Sequence, residues 1–141
     1  MTKSFVADAS VAIGWVHPSQ STADTAATLT AIAEGATLEV PALWPLEVAN
    51  ALTVLERRGK LTARERQMAL GWMRGLRLRV DHEAAGVAFS RLSELASTYR
   101  LSVYDATYLE LAHRRNLPLA CRDESLRKAA KKCGVALYSV G

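Results

Sequence analysis

Four carboxylates stand out by the company they keep. Asp8 lies in Val6-Ala-Asp8-Ala-Ser10, Glu47 in Trp44-Pro-Leu-Glu47-Val-Ala-Asn50, Asp105 in Val103-Tyr-Asp105-Ala-Thr-Tyr108, and Asp123 in Cys121-Arg-Asp123-Glu-Ser125. The first three sit among apolar residues, where an ionised carboxylate is costly unless hydrogen-bonded, paired or bound to metal. His17, His82 and His113 are scattered. Cys121 and Cys133 stand twelve apart with no second pair, so neither a zinc site nor a disulfide framework is indicated. A donor set of carboxylates alone suits a hard cation, Mg²⁺ or Mn²⁺. Two such ions can activate a water and stabilise the leaving oxygen in phosphodiester cleavage. Ser10 is placed to orient a carboxylate or a metal-bound water, and Asn50 shares the helix face of Glu47 at i, i+3.

Each acid also has a purely structural use. Ser102 and Asp105 spell a capping box, and Asp123 is a natural N-cap. Glu47 in a first helical turn would face the helix dipole favourably, and Asp8 could cap the turn that follows it. Capping and metal binding do not exclude each other, because a helix N-terminus beside a strand end serves both.

The elements that must deliver these acids are short. Strands are expected over Ser4–Ala7, Thr37–Val40, Leu78–Val80, Leu117–Cys121 and Ala136–Val140. Val11–Val16 begins a helix or a turn, ended by Pro18. Helices are expected over Ser21–Glu34, closed by Gly35, and Leu43–Arg58, with Pro45 tolerated in its first turn and Gly59 past its end. Thr62-Ala-Arg-Glu65 is a capping box, and the helix it opens carries Met68, Ala69, Trp72, Met73 and Leu76 at helical spacing. The next helix is expected to bury Ala85, Ala88, Phe89, Leu92, Leu95, Ala96 and Tyr99. Further helices run from Ser102 to about Arg115 and over Glu124–Lys132. Short strands alternating with helices make one α/β domain over residues 1–141, a parallel sheet covered on both faces. In such a fold the working site lies beyond the carboxyl ends of the strands, where the four acids fall.

The chain has 141 residues, half of them apolar and 23% charged, which excludes disorder and low-complexity tethers. No segment approaches the length of a membrane span. Asp8 falls where a secretory signal would carry its apolar run, so a cytoplasmic protein is expected. Charge is divided unevenly. Up to Lys60 there are four basic and six acidic residues; from Leu61 onward there are fourteen basic and eight acidic. A basic second half, rich in arginine, suits an anionic partner.

Val6-Ala-Asp8-Ala-Ser-Val-Ala, Glu47-Val-Ala-Asn-Ala-Leu, Leu101-Ser-Val-Tyr-Asp105-Ala-Thr-Tyr-Leu-Glu-Leu-Ala and Leu119-Ala-Cys-Arg-Asp123-Glu-Ser-Leu together resemble the PIN domain. More narrowly they resemble the VapC-like ribonuclease toxins of toxin–antitoxin pairs, over essentially the whole chain. The resemblance implies a three-layer α/β/α sandwich and a Mg²⁺- or Mn²⁺-dependent endoribonuclease. Asp8, Glu47, Asp105 and Asp123 would be its acidic quartet. It also implies a homodimer, a cognate antitoxin lying over the acidic groove, and inhibition of translation by cutting structured RNA, often tRNA. Cys121 departs from the family, which usually has Thr or Ser two residues before the last acid. A thiol is the weaker hydrogen-bond donor.

With no suitable histidine pair, hydrolysis through cations is expected rather than a cyclic phosphate route, leaving a 5′-phosphate and a 3′-hydroxyl. Arg57, Arg58 and Lys60 could reach an RNA backbone, or simply complement a helix dipole. Arg127, Lys128, Lys131 and Lys132 form a basic stripe, either a solvated face or a phosphate contact. Trp15, Trp44 and Trp72 are expected in the core or at a subunit contact rather than stacked on bases. Two other classes compete. A receiver-like phosphoacceptor would need paired acids after the first strand, where Asp8 has only Ala7 and Ala9. A non-catalytic PIN-like module that binds RNA or protein is the alternative function, with Cys121 as its support.

Overall fold

The computed structural model describes residues 3–138. Four strands, β1 (Phe5–Ala7), β2 (Leu38–Pro41), β3 (Leu78–Asp81) and β4 (Leu119–Ala120), form one parallel sheet in the order β3-β2-β1-β4. Phe5 pairs with Leu38, Val40 with Val80, and Ala7 with Ala120. Every residue of β1 and β2 is buried, as central strands covered on both faces must be. The chain moves outward from β1 through β2 to β3, then returns to place β4 on the other side of β1. The strand order therefore reverses between β1 and β4, which is where a crevice opens in such sheets.

The helices are α1 (Ala9–Val16), α2 (Ala23–Ala33), α3 (Leu43–Arg57), α4 (Ala63–Arg74), α5 (Ala84–Val87), α6 (Ser93–Tyr99), α7 (Val103–Arg115) and α8 (Glu124–Cys133). Helix α7 packs across β1, β2 and β4, with α6 and α8 beside it, while α1 joins α2 to α3. The result is the expected α/β/α sandwich. Phe5, Leu38, Val40, Trp44, Leu52, Tyr108, Leu109, Leu119 and Leu126 are central to its core. Gly14 lets α1 approach α2: a Cβ there would meet Thr25 Cγ2 at 2.9 Å and the Gln20 carbonyl at 3.0 Å.

The Thr62–Glu65 capping box forms in both directions. Two expected apolar stripes do not bury as written. On α4 only Ala69 and Met73 are buried; Met68 and Trp72 are exposed, because α4 meets α3 along a narrow seam. Trp72 stands edge-on to Trp15 at 6.1 Å. In the helix after β3, Ala88–Leu92 winds as a π-turn between α5 and α6. The wider turn breaks the 3.6-residue spacing: Leu92 is buried as expected, but Ala85 is exposed and Phe89 is wholly exposed. Of the expected last strand, Leu137 makes a single parallel bridge to Leu119; positions 139 and 140 lie outside the described residues.

Candidate functional site

Three of the four acids emerge at the reversal of strand order or face it. Asp8 is the first residue after β1 and caps α1: its Oδ1 accepts from the Val11 amide at 3.2 Å and from Ser10 Oγ at 2.7 Å. Asp123, three residues past β4, caps α8 by accepting from the Leu126 amide at 3.0 Å. Asp105 lies in the first turn of α7, whose cap Ser102 accepts from the Asp105 amide at 3.0 Å. Helix α3 starts at Leu43 as expected, and from that start Glu47 falls in the second turn rather than the first. Its Oε1 accepts a 2.5 Å hydrogen bond from the Tyr108 hydroxyl.

The acids sense one another. Burial, followed by the charges of Asp105 and Glu47, pushes the Asp8 carboxyl up to about 6 against the bonds from Ser10 and Val11. Burial likewise raises Glu47, with Asp105 adding to it, and raises Asp105, with Asp123 adding to it. Tyr108 is held protonated by burial and by the bond to Glu47, with Asp8 and Asp105 nearby. Among the described residues none of the four acids forms a salt bridge.

A second acidic cluster makes the contrast. Asp81, Glu83 and Glu110 all bind Arg114, with Asp81 held at 3.1 and 2.8 Å through both guanidinium nitrogens. Arg115 reaches Glu39 and Asp81 at 3.7 Å. Burial presses Asp81 upward, but the Arg114 bonds and charges bring its carboxyl below the ordinary value. One group of acids is neutralised internally; the other is left to external charge. Among the described residues no three acid, imidazole or thiol groups stand as a closed ligand cluster. The donor chemistry nonetheless fits a hard divalent cation: oxygen donors, mutually repelling, with no cationic side chain paired to them among the described residues.

Supporting residues divide. Ser10, Glu47 and Asn50 line one groove of about 510 Å³ between α1 and α3, with Ile13, Ala51 and Val54. Arg57, Arg58 and Lys60 are exposed at the far end of α3, about 15 Å or more along the helix from Glu47. Lys128 and Lys131 are exposed on α8, but Arg127 is half-buried and donates to the Cys121 carbonyl at 3.1 Å. Cys121 is buried, and its thiol is pushed up to about 12 by burial and by neighbouring Asp8. Trp44 is buried, and the Trp15 indole donates to the Thr25 carbonyl and Thr28 Oγ1, both at 3.0 Å. Tyr108 is the residue to which the sequence assigned no role. Its position three after Asp105 puts both on one face of α7, a usable signal, but its bond to Glu47 spans 61 positions.

Among the described residues no helix is long and apolar enough to cross a membrane. No curated protein matches the sequence. Solved structures do match its fold. FitAcB from Neisseria gonorrhoeae is 18% identical with a TM-score of 0.65, covering 96% of each chain. VapBC2 from Rickettsia felis, bound to a DNA fragment from their promoter, is 11% identical with a TM-score of 0.66, covering 95% of this chain and 96% of that one. PAE2754 from Pyrobaculum aerophilum is 21% identical with a TM-score of 0.64, covering 92% and 86%. The family model of the PIN domain matches residues 5–132, nearly the whole chain, and the protein belongs to that family.

Proposed function

We propose that this PIN domain is a metal-dependent endoribonuclease and the toxin of a toxin–antitoxin pair, inhibiting translation by hydrolysing RNA. The observation that carries the reading is the contrast between the two sets of acids: Asp81 and Glu110 are paired with arginine, whereas Asp8 and Glu47 are raised by burial and by their acidic neighbours and, among the described residues, neither they nor Asp105 has a paired cation. Asp8, Glu47 and Asp105 would hold Mg²⁺ or Mn²⁺, with Asp123 completing the set. A bound divalent cation supplies a more acidic water and charge stabilisation at the phosphate.

The chain's own groups do the rest. Ser10 orients Asp8 by donating to Oδ1. Asp123, whose charge raises Asp105, would orient the attacking water or share a second ion. In-line attack leaves a 5′-phosphate and a 3′-hydroxyl. Arg127 donates to the carbonyl of Cys121, two residues before Asp123, and Lys128 and Lys131 would extend the positive surface for an RNA backbone. Arg57, Arg58 and Lys60 would contact a longer substrate, such as a folded tRNA, away from the scissile bond. A cognate antitoxin covering the acids and a homodimer complete the reading.

The test is cleavage of total cellular RNA by purified, antitoxin-free protein in Mg²⁺, Mn²⁺ and EDTA, beside Asp8→Asn. Discrete fragments that disappear in EDTA and in the variant support the nuclease. Metal binding without cutting favours the non-catalytic module, and equal cutting by both proteins removes the acidic site from the reaction.

A further inference from the structure

We propose that Tyr108 is a positioning residue of the acidic site: its phenol holds one oxygen of Glu47 and thereby determines where the other one faces. The inference rests on the reading of Glu47 as a cation ligand.

Tyr108 is 1% exposed and belongs to the core. Only its hydroxyl reaches the acids, donating to Glu47 Oε1 at 2.5 Å from α7 across to α3. Among the described residues Glu47 Oε2 accepts no hydrogen bond, so one oxygen is committed and the other is free for a ligand. Glu47 needs such a clamp more than Asp8 does. Asp8 is fixed by its short side chain and by Ser10 and Val11. Glu47 has one more methylene, stands half-exposed on a helix face, and among the described residues accepts from Tyr108 and from no group of its own helix. An outer hydrogen bond that selects one orientation of a ligating carboxylate removes the reorganisation that binding would otherwise require.

The test separates this role from packing. Mn²⁺ binding is measured by the electron paramagnetic resonance signal of the free ion for wild type, Tyr108→Phe, Glu47→Gln and the double variant, with each metal-free unfolding midpoint. The expected result is a roughly tenfold weaker affinity for Tyr108→Phe, a wild-type-like midpoint, and no further loss when Tyr108→Phe is added to Glu47→Gln. Wild-type affinity in Tyr108→Phe overturns the inference and leaves the metal site standing. So does an equal loss in both backgrounds, or failure of Tyr108→Phe to fold, since the hydroxyl would then act on packing. Unchanged affinity in Glu47→Gln overturns the ligand role of Glu47 itself, and the inference with it.

Discussion

The Asp8 amide donates to the Ala120 carbonyl at 3.1 Å, and this rung between β1 and β4 sets Cys121 beside the Asp8 carboxylate. Strands β1 and β4 end level with each other, because Ala7 pairs with Ala120, so whatever follows either strand enters the same crevice. A neutral thiol therefore faces an acid that gains little from it, and burial of both residues follows from the same pairing.

Cys121 should accordingly be a slow nucleophile. Its thiol is pushed up to about 12 and it is 5% exposed, so alkylation at pH 8 should be at least roughly tenfold slower than for a free thiol. Half-buried Cys133 should label first. Mass spectrometry of a timed iodoacetamide reaction decides it; rapid labelling of Cys121 would contradict the packing around β4.

Asp8→Asn should stabilise the metal-free protein. The native carboxyl titrates at about 6 against an ordinary 3.8, so the folded state binds the proton more tightly than the unfolded chain. The ionised acid thus costs stability in full above about pH 6, and the cost fades as pH falls toward 3.8. Asparagine caps almost as well as aspartate. Urea unfolding should show a gain of about 2 kcal/mol at pH 8, shrinking toward pH 4. A loss at pH 8 would mean that Asp8 acts mainly as a cap.

Arg114 carries the opposite sign. Removing it with Arg114→Leu strands Asp81 and Glu110, both buried, at a cost of about 3 kcal/mol near neutral pH. Asp81 is held below 3.8, so its contribution is present above that value and lost as pH falls through the native one. The gap between variant and wild type should therefore narrow in acid. A pH-independent gap in urea midpoints would point to lost packing of the arginine stem instead.

The π-turn separates two residues that helical spacing alone would bury alike. Leu92→Ala should cost about 3 kcal/mol, and Phe89→Ser should change stability by less than about 0.5 kcal/mol. Chemical unfolding of the two variants under one condition checks both. A large loss for Phe89→Ser would show that a second molecule covers the ring in solution.

Local signals carried most of the architecture. Apolar runs too short for helices marked β1 and β2, the Thr62–Glu65 and Ser102–Asp105 spacings marked the starts of α4 and α7, and the apolar neighbours of Asp8, Glu47 and Asp105 marked the acids. These depend on residues a few positions apart, which is the range over which backbone propensity and capping act. Burial along α4 and after β3 was not legible in that way, since exposure of Trp72 and Phe89 depends on how closely a neighbouring helix approaches and on one widened turn.

By itself, the sequence determined which carboxylates are set among apolar residues and which elements would carry them, because both follow from neighbours along the chain. Only the tertiary structure decided which acids keep their charge uncompensated. Arg114 finds Asp81 across 33 positions, and Tyr108 finds Glu47 across 61. Such pairings arise when packing of α7 over the sheet brings distant side chains within a hydrogen bond's reach, and no spacing in the chain encodes that distance.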